Sequence, residues 1–289
     1  MTKSPIIIIG AGRSGSTLVA SILSAHPQFY MIGETGFLLQ RLWKTFFEHP
    51  EFVNNWRLGQ LAKSHDEDWR EKIWMDYWNS KLGRSLEKIN ENYPTLQIAE
   101  NKRLAISLGK FFMDALIPPE LRKSAWGFKE IWLGSSSFNY DWTLYDMAFP
   151  DARYVHIVRH PYDFARSQIL RTGGVESEQN FREAIDEWPN IVDMATKRKE
   201  TGRYYCILYE DLLNNPIDTV TALLCEIGLT PTQQCYEALS VPCQNRVLGR
   251  EKTAPLVLAS QALSPRTMTL MHSFGYALEQ NVARTCSAT

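Results

Sequence analysis

"PIIIIGAGRSGSTL", residues 5–18, decides how this chain is read. Residues 5–10, short and dominated by β-branched isoleucine, are predicted to form a strand buried on both faces. The turn from Gly10 to Gly15 passes straight into an apolar-periodic stretch, which predicts a helix over residues 15–25 that His26-Pro27 ends. A strand, a glycine loop and a helix start in this order make a seat for an anion, because the first N–H groups of a helix have no acceptor within it. Two patterns fit the loop at once. Gly10, Gly12 and Gly15 spell the GxGxxG of dinucleotide binding, while Gly10, Gly15 and Thr17 spell a P-loop in which Ser16 stands where lysine is usual.

The dinucleotide pattern also wants an acidic residue about 20 positions on, to hold a ribose hydroxyl, and Glu34 stands there. This keeps open a Rossmann-type oxidoreductase using NAD(P) or FAD. Against it, Arg13 and Ser14 lie inside the turn and Ser16 and Thr17 follow with hydroxyls at the helix start, side chains that suit a terminal oxyanion better than a pyrophosphate bridge. An ordinary nucleotide triphosphatase fits worse. The lysine is absent, and "YVHIV" runs into Arg159 where a magnesium-binding aspartate would stand. In "YVHIVRHPYDFARSQILR" Arg159 ends a predicted strand, Ser167 lies eight residues on in the following helix, and Arg171 is one turn beyond Ser167 on the same face. Two guanidiniums and a hydroxyl at a strand end suit a second phosphate held without metal.

Further strands are predicted at 125–131, 153–158 and 203–208, each short, β-branched or aromatic, and followed by helical pattern. Strands alternating with helices predict an α/β fold, a parallel sheet with helices on both faces. Residues 36–124 carry long amphipathic patterns without a convincing strand. They read as a helical insertion within a single domain spanning 1–289. Residues 178–201 read as helical, with Pro189 starting a second segment or kinking the first, and 241–257 read as a functional loop.

A formal net charge of -1 and a pI near 6.6 argue against bulk electrostatic attraction to nucleic acid or to an anionic membrane. The apolar stretch near Met1 runs directly into the glycine loop, so it reads as a strand rather than a signal peptide, and no other stretch suits a membrane span. Five cysteines, odd in number and without CxxC spacing, signal neither a disulfide framework nor zinc. They read as reduced thiols of a cytoplasmic protein, and six scattered histidines without HExxH give no metal site.

"GAGRSGSTL" together with "RHPYDFARS" resembles the PAPS-dependent sulfotransferase superfamily, in style closest to its bacterial and tyrosylprotein branches. The resemblance implies a P-loop-like sulfotransferase fold and 3'-phosphoadenosine 5'-phosphosulfate (PAPS) as co-substrate, with no metal. It implies that Gly10, Arg13, Ser14, Gly15, Ser16 and Thr17 hold the 5'-phosphosulfate, and that Arg159 and Ser167 hold the 3'-phosphate with Arg171 as an additional arginine. Gly12 departs from the family's frequent proline, and Ser16 from its frequent threonine.

Sulfuryl transfer parallels phosphoryl transfer in resting on positioning and electrostatics, with a lower charge on the moving group that lets cations and N–H groups replace magnesium. Glu34 in "MIGETGFL" is the expected general base, by position and by likeness to the family's glutamate; Glu130 is the second choice, or a buried partner of an arginine. Lys129 in "WGFKEI" is the expected cation at the bridging or sulfuryl oxygen, with Arg13 beside it. Tyr209 is expected to touch the nucleotide or serve as core, and Lys252, with Arg250, to close over PAPS. Eight of nine tryptophans lie between residues 43 and 142. With the carboxylates of "HDEDWREKIWMD" they suit either core and solvated helix faces or a small-molecule acceptor of cationic or aromatic character.

Overall fold

The computed structural model describes residues 4–41, 94–121, 124–131, 142–171, 178–239 and 263–276. Strands β1 (Ile6–Ile9), β2 (Phe29–Glu34), β3 (Ala125–Lys129), β4 (Arg153–Val158) and β5 (Tyr204–Leu208) form one parallel sheet in the order β2-β3-β1-β4-β5. The helices that matter below are α1 (Ser16–Ser24), α2 (Pro94–Leu116), α3 (Thr143–Ala148), α4 (Pro161–Arg171), α5 (Glu178–Thr196), α6 (Tyr209–Asn214), α7 (Pro216–Glu226) and α8 (Pro265–Ser273). The α/β class and four of the strands lie where the sequence pattern puts them. Strand β2 does not; its residues FYMIGE are half-buried rather than apolar, so they carry no strong strand signal. Pro189 lies inside α5, which runs through it as one helix.

The chain divides into two compact units. The first comprises residues 1–36, 117–142 and 151–289 and contains the sheet. On one face of that sheet, Leu18, Val19, Ile22 and Leu23 of α1 and Val220, Leu223 and Leu224 of α7 pack on Ile6, Ile8, Val155, Ile157 and Ile207. On the other, Phe164 and Ile169 of α4, Ile185, Trp188 and Val192 of α5 and Met271 of α8 surround Val158 and Ala11. Each such side chain taken fully out of water stabilises the fold by about 1.5–3 kcal/mol relative to an exposed one. The second unit comprises residues 37–116 and 143–150. Within it α2 lies close against α3: a Cβ at Gly109 would stand 2.9 Å from the Ala148 carbonyl oxygen, and the rings of Phe112 and Phe149 meet edge to face at 6.1 Å. Residues 42–93, most of the sequence-predicted insertion, lie outside the described residues. Among the described residues no helix is long and apolar enough to cross a membrane.

Strand order separates the two readings of the glycine loop. In the Rossmann order the second strand of the chain lies beside the first, so its terminal acid faces the nucleotide held at the first crossover. Here β3 occupies that place and β2 lies beyond it, paired with β3 alone. Glu34 therefore does not occupy the ribose-binding position, and the oxidoreductase reading loses its geometric basis.

The loop leaves β1 by passing tightly over β4. Gly10 has φ +133°, and a Cβ there would stand 2.5 Å from the Ile157 carbonyl oxygen. Neither the angle nor the gap suits a side chain, so Gly10→Ala is expected to destabilise the protein by about 1–3 kcal/mol. Equilibrium denaturation measures this, and an unchanged midpoint would contradict the tight crossing.

Candidate active site

The loop between β1 and α1 is held from below and from the side. Gly15 has φ +100°, and a Cβ there would overlap the Tyr209 ring, whose Cε2 would lie at 2.9 Å. Tyr209, the first residue of α6, is thus a floor beneath the loop, and it is buried. Arg13 also adopts a left-handed backbone, φ 68°, which costs a non-glycine residue about 1–2 kcal/mol and persists where surrounding contacts fix it. Two such contacts are present. Arg159 Nη1 donates to the Arg13 carbonyl oxygen at 2.9 Å, and Arg13 Nε donates to Ser167 Oγ at 3.2 Å.

Arg159 follows β4 directly and is itself buried. Its guanidinium carbon stands 4.6 Å from the centre of the Tyr209 ring, a cation over an aromatic face. Its carbonyl oxygen accepts from Trp188 Nε1 of α5 at 3.0 Å. The next N–H, that of His160, donates to Glu210 Oε1 at 3.1 Å, while Glu210 Oε2 accepts from the Tyr276 hydroxyl at 2.7 Å. Burial, reinforced by the adjoining Glu210 carboxylate, pushes the Tyr276 phenol above its ordinary range, so it remains a donor. Behind the loop, burial and then the Lys199 ammonium push His156 down to about 3, and it is therefore neutral; its Nδ1 lies 2.6 Å from the Tyr204 hydroxyl.

Lys129 and Glu34 meet at the other side of α1. They are register partners at the ends of β3 and β2, and Lys129 Nζ lies 3.0 Å from Glu34 Oε2 and donates to Thr17 Oγ1 at 3.2 Å. A bulge brings this about. From Met31 to Glu34 is three residues on β2, whereas their partners Gly127 and Lys129 are two apart on β3, so one extra residue has entered β2. A one-residue slip in a strand turns every later side chain to the other face. Gly33, with φ +95°, supplies the backbone that the bulge needs. The Glu34 side chain is 46% exposed while that of Lys129 is 9% exposed, so the carboxylate stands toward solvent on a buried cation.

The structure thus brings Arg13, Gly15, Arg159, Ser167 and Tyr209 into one set of contacts and Glu34, Lys129 and Thr17 into another, and the loop with the first turn of α1 runs through both. Ser14 and Ser16 are buried in the same loop. Ser14 Oγ has no hydrogen-bond partner among the described residues. Arg171 is exposed at the last position of α4, and the guanidinium that reaches Ser167 is that of Arg13. Glu130 is buried and accepts a hydrogen bond from the Thr35 hydroxyl. Lys252, Arg250, Trp69, Trp74, Trp78 and the acidic stretch around them lie outside the described residues. Sequence reasoning does not find Trp188, Glu210 or Tyr276, which come from distant segments of the chain, or Thr35. The "GET" triplet, a glycine before an acid in an otherwise extended stretch, is the signal that would have revealed the bulge.

A family model described as "Sulfotransferase family" matches residues 5–233. The chain belongs to the sulfotransferase family. The match spans the glycine loop, Glu34, Lys129, Arg159 and Ser167 together. Among solved structures, this sulfotransferase is similar to the sulfotransferase domain of the olefin synthase of Synechococcus PCC 7002, at 21% identity and a TM-score of 0.52, covering 96% of each chain. It is also similar to the sulfotransferase domain from the curacin biosynthetic pathway, at 15% identity and a TM-score of 0.52, covering 96% of this chain and 99% of that one. These two likenesses bear on the fold. No curated protein sequence matches.

An ion pair with one half-exposed partner contributes little to stability, because water already solvates the carboxylate and holding the side chain costs entropy. Glu34→Gln is therefore expected to change unfolding free energy by less than about 1 kcal/mol. A loss of several kcal/mol in urea denaturation would make Glu34 a structural residue.

Proposed function

We propose that this sulfotransferase moves a sulfuryl group from PAPS to a hydroxyl or a nitrogen of a small-molecule acceptor, without a metal. The observation that carries the reading is the junction at Arg13. Arg159 binds its carbonyl and Ser167 accepts from its side chain, so the helix-start seat and the strand-end seat adjoin and can hold two phosphates of one nucleotide. The N-terminus of α1, the loop and the hydroxyls of Ser14, Ser16 and Thr17 receive the 5'-phosphosulfate, which the partnerless Ser14 hydroxyl supports. Arg159 and Ser167 receive the 3'-phosphate, with Arg171 as a further cation at the end of the same helix. Lys252 is the basic residue that closes over the nucleotide. Tyr209 acts from beneath, holding the loop and Arg159 in place.

In the reaction an acceptor oxygen or nitrogen attacks sulfur in line with the bridging oxygen of the 5'-phosphosulfate. The new bond to sulfur forms as the bond to that oxygen breaks, and adenosine 3',5'-bisphosphate leaves. Glu34 takes the acceptor proton; Lys129 and Arg13 stabilise the negative charge on the leaving and sulfuryl oxygens. The position of Lys129 between Glu34 and Thr17 supports this division of labour, since one ammonium then touches both the base and the donor loop. Tryptophans and carboxylates of residues 43–142 favour an acceptor with cationic or aromatic character.

A labelled-PAPS transfer screen across phenols, alcohols and amines, with products identified by mass spectrometry, tests the activity. Bisphosphate binding without transfer to any acceptor would instead make the protein a nucleotide-binding module. Glu34→Gln is expected to lower turnover by ~10²-fold or more with little change in nucleotide affinity, and near-normal turnover would remove Glu34 from the role. Calorimetry on Arg159→Ala should show a loss of about 1.5–3 kcal/mol for adenosine 3',5'-bisphosphate, and a much smaller loss for the analogue without its 3'-phosphate. Equal losses would mean that Arg159 serves only to build the loop.

A further inference from the structure

The geometry points to Thr35 and Glu130 as a positioning pair that sets the Glu34 carboxylate against Lys129. This inference rests on the reading of Glu34 as the base and asks what holds that base in place. Glu34 stands between two glycines of left-handed backbone, Gly33 at φ +95° and Gly36 at φ +58°, and a Cβ at either would meet nothing within 4 Å. Neither glycine packs a side chain, and both give the backbone freedom, so the strand end has little intrinsic rigidity. The restraint comes from Thr35.

Thr35 is fastened at two points to the end of β3. Its N–H donates to the Lys129 carbonyl oxygen at 3.2 Å, and its hydroxyl donates to Glu130 Oε2. Glu130 is a rigid anchor. Its side chain is buried, and its own N–H donates to the Ile8 carbonyl oxygen of β1 at 2.9 Å, one strand further into the sheet. A buried carboxylate holds its hydrogen-bond donors strongly because losing one leaves charge without compensation. The clamp therefore runs from β1 through Glu130 to Thr35, and Glu34 is the residue just before the clamped one. Since the bulge at Gly33 selects the face and the clamp fixes the end, the carboxylate is delivered to Lys129 rather than left to swing in solvent. Glu130, on this account, accepts a hydrogen bond for positioning and takes no proton from the acceptor.

The test reads the Lys129 amine in the whole protein. An amine-reactive reagent is applied at fixed pH, and modification of Lys129 is followed by peptide mass spectrometry in wild type, Glu34→Gln, Thr35→Val, Thr35→Ser and Glu130→Gln. A carboxylate held against the amine shields it from the reagent, so Thr35→Val, which releases Glu34 from Lys129, should react faster than wild type by roughly threefold or more, approaching Glu34→Gln. Thr35→Ser, which keeps the hydroxyl, should restore the wild-type rate. Glu130→Gln, whose amide oxygen can still accept from Thr35, should fall between the two. Affinity for adenosine 3',5'-bisphosphate should stay within about twofold of wild type in Thr35→Val, because the hydroxyl touches no part of the loop. Wild-type reactivity in Thr35→Val, a Thr35→Ser protein that behaves like Thr35→Val, or a parallel loss of bisphosphate affinity would each overturn the clamp. If wild type failed to bind the bisphosphate at all, the donor reading would fail while the labelling still judged Thr35.

Discussion

A buried guanidinium needs acceptors, and Arg159 finds one in the backbone of the very loop that it is proposed to serve beside. Its bond to the Arg13 carbonyl fixes a residue in left-handed backbone, its face rests on Tyr209, and Tyr209 in turn fills the space that Gly15 leaves open. The loop is therefore preorganised by the end of β4 and the start of α6, not by its own sequence alone. This is economical in physical terms. Fixing polar groups before a ligand arrives spares the ordering cost at the moment of binding.

A second layer keeps Arg159 from moving. Trp188 binds its carbonyl, Glu210 takes the next N–H, and Tyr276 secures Glu210 from the far end of the described chain. The phenol and the tryptophan N–H are donors that burial does not ionise, so the network keeps its polarity across ordinary pH. On the other side of α1 the arrangement differs in kind. Lys129 is buried and Glu34 is half-exposed, which places a fixed cation against an accessible carboxylate. One half of the site is thus braced by buried contacts, and the other opens to solvent at Glu34.

Much of this was legible in the sequence, for identifiable reasons. Ile6–Ile9, the glycine loop and the arginine after "YVHIV" are local signals: a buried strand, a turn that only glycine permits, and a cation at a strand end. Their partnership was legible too, because a parallel sheet brings successive strand ends to one edge. Strand β2 was hidden because it is half-buried and interrupted by Gly33, so period-2 alternation fails where the bulge lies. The order of β2 and β3 was equally hidden, and that order removes the dinucleotide reading of Glu34. Trp188, Glu210 and Tyr276 carry no local signature, since each acts through a contact that only the folded chain creates.

The central claim is that the α1 seat and the Arg159 seat form one continuous site for a doubly phosphorylated nucleoside. A crystal structure with adenosine 3',5'-bisphosphate tests it most directly. The expected result is a single bound molecule with its 5'-phosphate over the N–H groups of Gly15 to Thr17 and its 3'-phosphate on Arg159 and Ser167, the Arg13–Ser167 contact giving way to the ligand. A 3'-phosphate in solvent, or one bound away from both residues, would contradict it.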